Sequence, residues 1–378
     1  MQSKMNIHNH NSFLEIDLAT LRRNVRTILD SLGEGTQLIP VLKDDAYGLG
    51  AVPIARELCR LPEIRLLAVA HVSEGLALRE AGIDREILVM GGALPFQTEA
   101  AVKAGLTLAC GRPGFARELA AAARACGRRA KLQLKIDTGL HRIGIEPGEV
   151  SAWIEEYRAA GEALELTGVF SHFSDAENLA LDEEEFALFL RTLGELEAAG
   201  IAIPLRHIAC SAASERFPQF QMDGVRCGRR LYMDRTQGGR GDICELASFR
   251  SFITQLRDRR AGETLGYGAA VRLDRDTQVA TVGVGYGDGL NQELFRIGGP
   301  VLVGGKRCRM LACCMDQCMI DVSGVGCAVG DEVTFFGYDA EGSFLSSQEV
   351  AALVGGDEGC GLTSALSPRV ARVYKEME

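Results

Sequence analysis

Between Leu18 and about Arg230 a short apolar run is followed, again and again, by a segment of helical spacing, and this repetition limits the fold more than any other feature of the chain. The apolar runs are QLIPVLK, LLAVAHV, EILVMGG, LTLACG, KLQLKID, LTGVFSHF, LRHIACS and DGVRCG. Segments such as SEGLALREAG and PGFARELAAAARACG separate them, with apolar residues three and four apart. Strands that are apolar throughout, rather than at alternate positions, belong to a parallel sheet covered on both faces. Eight such units in roughly 210 residues fit a closed (β/α)8 TIM-type barrel better than an open doubly wound sheet, since no G-x-G-x-x-G follows the first strand. The first helix is marked by Leu18, Leu21, Val25, Ile28, Leu29 and Leu32 on one face, with Asp17 as N-cap and Gly33 as its stop.

Beyond about residue 243 the pattern changes. FRSFITQLRD, GAAVRLDRD, TQVATVGVGYGDGL, GPVLVGGKRCRML, QCMIDVSGVG and DEVTFFGYD are short, alternating and punctuated by glycine or charge, which predicts an antiparallel β domain. A chain of 378 residues exceeds one ordinary core, so two domains are expected, a barrel over 12–242 and a β domain over 243–378. The net charge of -10 argues against nucleic-acid or anionic-membrane partners. The basic residues from Arg226 to Arg260 are interrupted by Asp234, Asp242, Glu245 and Asp258 and read as a solvated face. The opening MQSKMNIHNHNSF has no apolar signal core, and no run reaches membrane-spanning length. Together with 12 cysteines, this predicts reduced thiols in a cytoplasmic protein. Cys308, Cys313, Cys314 and Cys318 lack paired C-x-x-C knuckles and read as buried thiols, with no metal site.

In a barrel, residues at the carboxyl ends of the strands share one mouth. Here they are Lys43 and Tyr47 after the first strand, and Lys135, Asp137 and Arg142 after the fifth. His172 ends the sixth, Ser211 the seventh, and Arg226 with Gly228 the eighth. Cations and a serine converging on one rim suit an anionic, phosphate-bearing cofactor, and backbone N–H groups after strands seven and eight commonly hold phosphate. Taken singly, His172 is an ordinary hydrogen-bonded histidine and Ser211 an ordinary helix cap; together they are not expected by chance.

The motifs VLKDDAYGLG, KIDTGLHRIGI, GVFSHFSDAE, HIACSAA, DGVRCG followed by LY, GYGAAV, VGYGDGL, CMDQCMIDV and GDEVTFFG stand in the order found in alanine racemases, and over nearly its whole length the chain resembles that pyridoxal phosphate (PLP)-dependent family. The resemblance implies a barrel plus β domain, isomerase activity and a role in D-alanine biosynthesis. It implies that Lys43 carries the cofactor aldehyde and that Tyr47, Ser211, Gly228 and Arg229 bind its phosphate. Arg226 would face the ring nitrogen as a donor that cannot be deprotonated, weakening the ring as an electron sink and suppressing transamination. His172 would bridge Arg226 to a tyrosine. Racemisation needs a base on each face of the planar carbanion; the resemblance assigns Lys43 to one and Tyr267 to the other, the latter activated through His172 and Arg226. Arg142, Met315 and Asp316 match the substrate-carboxylate group, Tyr286 the entrance tyrosine, and Lys135 a lysine often carbamylated. Tyr267, Tyr286 and Met315 would reach a partner's barrel, implying a homodimer with shared active sites.

The match departs at Asp44, Leu49, Cys210, Cys227, Arg229 and Arg230, and at Pro368, which occupies the place of a tail tyrosine in SPRVAR. The last change opens the pocket, so serine or a broad range of small amino acids stands as the alternative to alanine. A non-catalytic PLP-binding protein is a further alternative, against which the β domain argues, and a related barrel decarboxylase lacks the CMDQ context.

Overall fold

The computed structural model describes residues 7–233, 243–356 and 359–375. The chain forms two compact units, one of residues 25–46 and 51–231, the other of residues 1–24, 47–50 and 232–378.

The first unit is the expected barrel. Its strands are Gln37–Pro40, Leu66–Val69, Glu86–Val89, Thr107–Cys110, Ala130–Lys135, Leu164–Phe170, Arg206–His207 and Gly224–Cys227. The second to seventh pair in parallel in chain order, and the first pairs in parallel with the eighth, Gln37 opposite Gly224 and Pro40 opposite Cys227. Single bridges, Val41 to Ala68 and Cys210 to Arg226, close the two remaining seams. Four consecutive buried residues in Leu66–Val69 and again in Thr107–Cys110 bear out the continuous apolar pattern. Ile39, Val41, Leu66, Ala68, Leu88 and Leu205 pack as one core cluster.

The first helix spans Leu18–Asp30. Asp17 caps it, its Oδ1 accepting from the backbone N–H groups of Ala19 and Thr20 at 2.8 and 3.1 Å. Leu18, Leu21, Val25 and Ile28 are buried, each worth about 1.5–3 kcal/mol by the usual burial scale. Helix geometry ends at Asp30, short of Gly33, where Ser31 donates back to Ile28 O at 3.0 Å and tightens the last turn.

The second unit corrects the expected boundaries. Ser12–Asp17, assigned from sequence to the barrel, pairs antiparallel with Ala247–Arg259, Ser12 opposite Ser251. Its other edge pairs in parallel with Ala371–Lys375, so the β domain is not wholly antiparallel. A short strand with this pattern carries no mark of which sheet will take it. Tyr47–Gly50 also belongs to this unit, with Tyr374 Oη donating to Leu49 O at 2.8 Å and Arg372 Nε to Gly48 O at 3.1 Å. The expected boundary at 242 and 243 adjoins residues 234–242, which lie outside the described residues, as do Asp234 and Asp242 of the basic stretch. The long strand Ala247–Arg259 also pairs with Thr277–Val282 and Glu332–Tyr338. Through Cys318–Asp321, Lys306–Cys313 and Pro300–Val303 these close into a second, smaller barrel. GAAVRLDRD yields only the two-residue strand Val271–Arg272. Among the described residues no helix is long and apolar enough to cross a membrane, and the cysteines are free thiols.

Glu245, in the same unit, is buried with Oε1 unpartnered, while Oε2 accepts from Ser347 N at 3.1 Å. Burial raises its carboxyl from 4.5 to about 7. The unfolded chain therefore ionises first, and stability falls as pH rises from about 4.5 to about 7, then levels off. Glu245→Gln is expected to flatten the decline in thermal midpoint between pH 5 and 7.5 seen for the unaltered protein. An equal decline in both proteins, read by circular dichroism melts, would rule this out.

Candidate active site

At the mouth of the larger barrel one guanidinium organises its neighbours. Arg226, on the eighth strand, is 4% exposed. Its Nη2 donates to Ser171 O, His172 Nδ1 and Ile208 O, each at 2.8 Å, and its Nη1 donates to His207 Nδ1 at 2.6 Å. Nε–H carries no protein partner among the described residues. Burial and the adjacent guanidinium hold His172 and His207 well below the ordinary imidazole range, so both are neutral near pH 7. Each accepts at Nδ1 and therefore carries its proton on Nε2. His207 passes that proton's hydrogen bond to Gln133 Oε1 at 2.8 Å and stacks on Phe170 at 5.0 Å. Burial lowers Arg226 to about 10, which leaves it cationic at neutral pH.

Lys135 ends the fifth strand and is buried. Burial first, then the charges of Arg142 and Arg226, lower its ammonium to about 8, with Asp137 opposing them. Arg142 sits on an exposed loop that folds back over the strand end, where Ile145 N donates to Lys135 O at 2.8 Å and Asp137 N to Ile145 O at 3.0 Å. Asp137 Oδ1 fixes that loop from within, accepting from Gly139 N and His141 N at 3.1 and 3.0 Å. The positive charges of Arg226, Lys135, Arg142 and Lys43 all act on His172. The mouth is thus strongly cationic, as an anionic ligand requires.

After the seventh and eighth strands, Ser211 opens the helix Ser211–Arg216 and its Oγ accepts from Gly228 N at 3.3 Å, while Arg229 starts the turn that follows. Lys43 begins an unusual segment. Asp44, Asp45, Ala46 and Tyr47 have φ of 55, 51, 54 and 58°, a left-handed turn built of non-glycine residues, each costing about 1–2 kcal/mol. Glu74 compensates: Oε1 accepts from Asp44 N at 2.6 Å, and Oε2 from Ala70 N and His71 N at 2.8 Å. Asp45 turns away from the mouth, its Oδ1 capping Ala51 N at 2.7 Å.

The β unit carries the remaining residues. Tyr47 packs on Tyr232 at 5.5 Å between ring centroids, and Leu49 is buried. Tyr267 stands at the tip of the hairpin formed by Thr264–Leu265 and Val271–Arg272 and is 84% exposed. Gly266 beneath it would, with a Cβ, press on Ala312 Cβ at 3.3 Å. Met315 and Asp316 form the two-residue turn of another hairpin, and Tyr286 N and Gly287 N donate to Cys314 O and Met315 O at 3.1 and 2.9 Å. Gly285 is required at this seam, since a Cβ there would lie 2.3–2.5 Å from Cys314 O and Met315. Pro368 is exposed in the tail.

The structure thus brings Arg226 to His172, Ser211 to Gly228, Lys135 to the Asp137–Arg142 loop, and Tyr286 to Met315. Sequence reasoning missed His207, Gln133 and Glu74. A glutamine inside the apolar run KLQLK, and a histidine inside LRHIACS, were the available signals; Glu74 gave none, being one more acid on a surface helix.

The comparisons with known proteins agree with this architecture. Solved structures of alanine racemases from Clostridium difficile 630 and Bacillus anthracis, the latter with bound L-Ala-P, superpose with TM-scores of 0.88 and 0.89. Their identities are 30% and 28%, and each match covers 97% of this chain, with 96% and 95% of theirs. The fold is therefore that of a two-domain racemase. Residues 16–236 match the alanine racemase N-terminal domain and residues 246–374 the alanine racemase C-terminal domain. The alanine racemase of Desulforamulus reducens is 35% identical over 95% of this chain and 98% of its own, and that of Desulfovibrio desulfuricans 36% identical over 96% and 97%. The chain belongs to the alanine racemase family.

Glu74→Ala frees three backbone N–H groups and removes the brace of the left-handed turn. Amide exchange at Asp44, Ala70 and His71 is expected to accelerate, with a loss of about 1–3 kcal/mol in stability. Unchanged exchange at all three positions would show that the turn holds itself.

Proposed function

We propose that this protein interconverts L- and D-alanine with PLP held by Lys43, using Lys43 and Tyr267 as the two bases. The observation that carries the reading is the Arg226 arrangement: a buried cation fixed by two neutral imidazoles and three carbonyls, with Nε–H left for an acceptor. A pyridine nitrogen is such an acceptor. The donors of Ser211, Gly228 and Arg229, with Tyr47, suit a phosphate, and the primary amine of Lys43 suits an aldehyde, so the residues present fit the cofactor. When bound, PLP supplies an electrophilic carbonyl carbon and a conjugated ring that together acidify the α-hydrogen of an amino acid.

The chain's own residues would then divide the work. Lys43 Nζ would take or return the α-proton on one face, and Tyr267 Oη would do so on the other. Both are needed because one base returning a proton to the face it came from only exchanges it. Neutral His172, donating from Nε2, relays the field of Arg226 toward the phenol. Arg226, cationic at neutral pH, would hold a ring nitrogen bound there only by donating to it. The Arg142 guanidinium and the backbone at Met315, with Asp316 beside it, hold the substrate carboxylate, and Tyr286 narrows the entrance. The exposure of Tyr267 and Met315, two large apolar side chains placed at loop tips, supports a homodimer in which each reaches the partner's site. A cytoplasmic location and supply of D-alanine follow from this reading.

Two measurements test it. In D2O with PLP and L-alanine, the protein should give D-alanine labelled at Cα. Tyr267→Phe should lower turnover by about 10²–10⁴-fold and abolish exchange from one enantiomer far more than from the other. Equal losses for both enantiomers would defeat the two-base assignment, and absence of a borohydride-trapped adduct on Lys43 would defeat the cofactor assignment.

Lys135 supports a further element of the reading. An amine lowered to about 8 is partly neutral at neutral pH, the form that adds CO2, and the carbamate formed would meet Arg142 and Arg226. With 13C-bicarbonate, a carbamate resonance is expected to grow as pH rises through 8, and to be missing in Lys135→Met. A signal that persists in that variant would place the adduct elsewhere.

A further inference from the structure

We propose that Arg369 is a positioning residue for racemisation, coupling the turn that holds the substrate carboxylate to the loop that forms the entrance. The inference rests on the reading that Met315 and Tyr286 meet the substrate. The Met315–Asp316 turn is closed by a single ladder bond, Cys314 N to Gln317 O at 2.8 Å, and beyond it Met315 is 52% exposed. Its own hairpin therefore leaves its tilt poorly fixed. The Tyr286–Asp288 turn supplies two further bonds, from Tyr286 N and Gly287 N. Asp288 stabilises that turn from inside, its Oδ2 accepting from Gly285 N at 2.9 Å. The tail joins as a third part, where Ser367 N donates to Asp288 O at 3.0 Å.

Arg369 bridges all three. Its Nη1 donates to Asp316 Oδ1 at 2.7 Å, its Nε lies 3.2 Å from Asp288 Oδ1, and its backbone N donates to Ser367 Oγ at 3.3 Å. One planar fork thus holds two carboxylates from two loops, and a shift of either loop costs one of the pairs. Pro368, just before it, fixes the backbone from which the side chain departs. Arg369 is 54% exposed, and ion pairs at that exposure add little to global stability. Their effect falls on the relative setting of two loops, hence on substrate binding.

The test uses the full-length, PLP-loaded protein. Arg369→Met is expected to raise KM for both alanine enantiomers roughly three- to tenfold, with kcat nearly unchanged and no loss of thermal midpoint. Arg369→Lys keeps the charge and reaches one carboxylate at a time, so it should recover part of the loss. Asp316→Asn should reproduce the KM rise, and the double variant should be no worse than the more impaired single variant, because both remove one interaction. Wild-type KM in Arg369→Met, a lowered melting point with kinetics unchanged, or additive KM effects in the double variant would overturn the proposal. Failure of the unaltered protein to turn over alanine would instead sink the underlying reading along with it.

Discussion

The site is organised around a buried positive charge that the protein keeps unneutralised. Among the described residues no carboxylate pairs with Arg226; its partners are two imidazole nitrogens and three backbone carbonyls. A buried cation without a counter-ion is costly, and the compensation is spread over dipoles fixed by three barrel strands. The arrangement also sets the protonation of its neighbours. Because the guanidinium occupies Nδ1 of both rings, each histidine is confined to one tautomer and held neutral, and Gln133 then fixes His207 from the far side. The charge of the mouth is therefore a property of the sheet itself, which favours an anionic ligand that completes the balance.

A second cost sits next to Lys43. Four successive residues with positive φ, none of them glycine, are rare in any fold. Strain of this kind persists only where surrounding contacts determine it, and here Glu74 binds three backbone donors from two different loops. The turn redirects the chain sharply after Lys43, so that Tyr47 to Gly50 leave the larger barrel and pack in the β unit. A right-handed continuation would carry these residues elsewhere. The aspartates in KDDAYGLG serve this geometry, Asp45 by capping and Asp44 by tolerating the left-handed region, which short polar side chains do better than most.

Much of this was legible in the sequence, and the parts that were not share a cause. All eight barrel strands were visible because parallel strands are apolar throughout and recur with helices between them. Lys43, His172, Ser211, Arg226 and Gly228 were visible because they sit at predictable ends of those strands. The allocation of Ser12–Asp17 to the β unit was hidden, since a strand shows which face it buries and not which neighbour it will pair with. Glu74 and His207 were hidden for a related reason: each acts on backbone or side chains far away in the chain, and a carboxylate on a helix or a histidine in a strand looks the same whether or not such a partner exists. The change in Tyr47–Gly50 from one unit to the other follows from positive φ values that no residue but glycine announces.

The parallel pairing of Ser12–Asp17 with Ala371–Lys375 joins stretches lying almost a whole chain apart. During synthesis the earlier strand emerges first and waits while the entire larger barrel is made, with a bare edge that invites mispairing. The smaller barrel closes through its own pairings, but the sheet that extends from it gains its outermost strand only when Ala371–Lys375 is made, so this pairing closes a very long loop. Of the pairings in the β unit, this one spans the greatest sequence separation and carries the largest loop-closure cost.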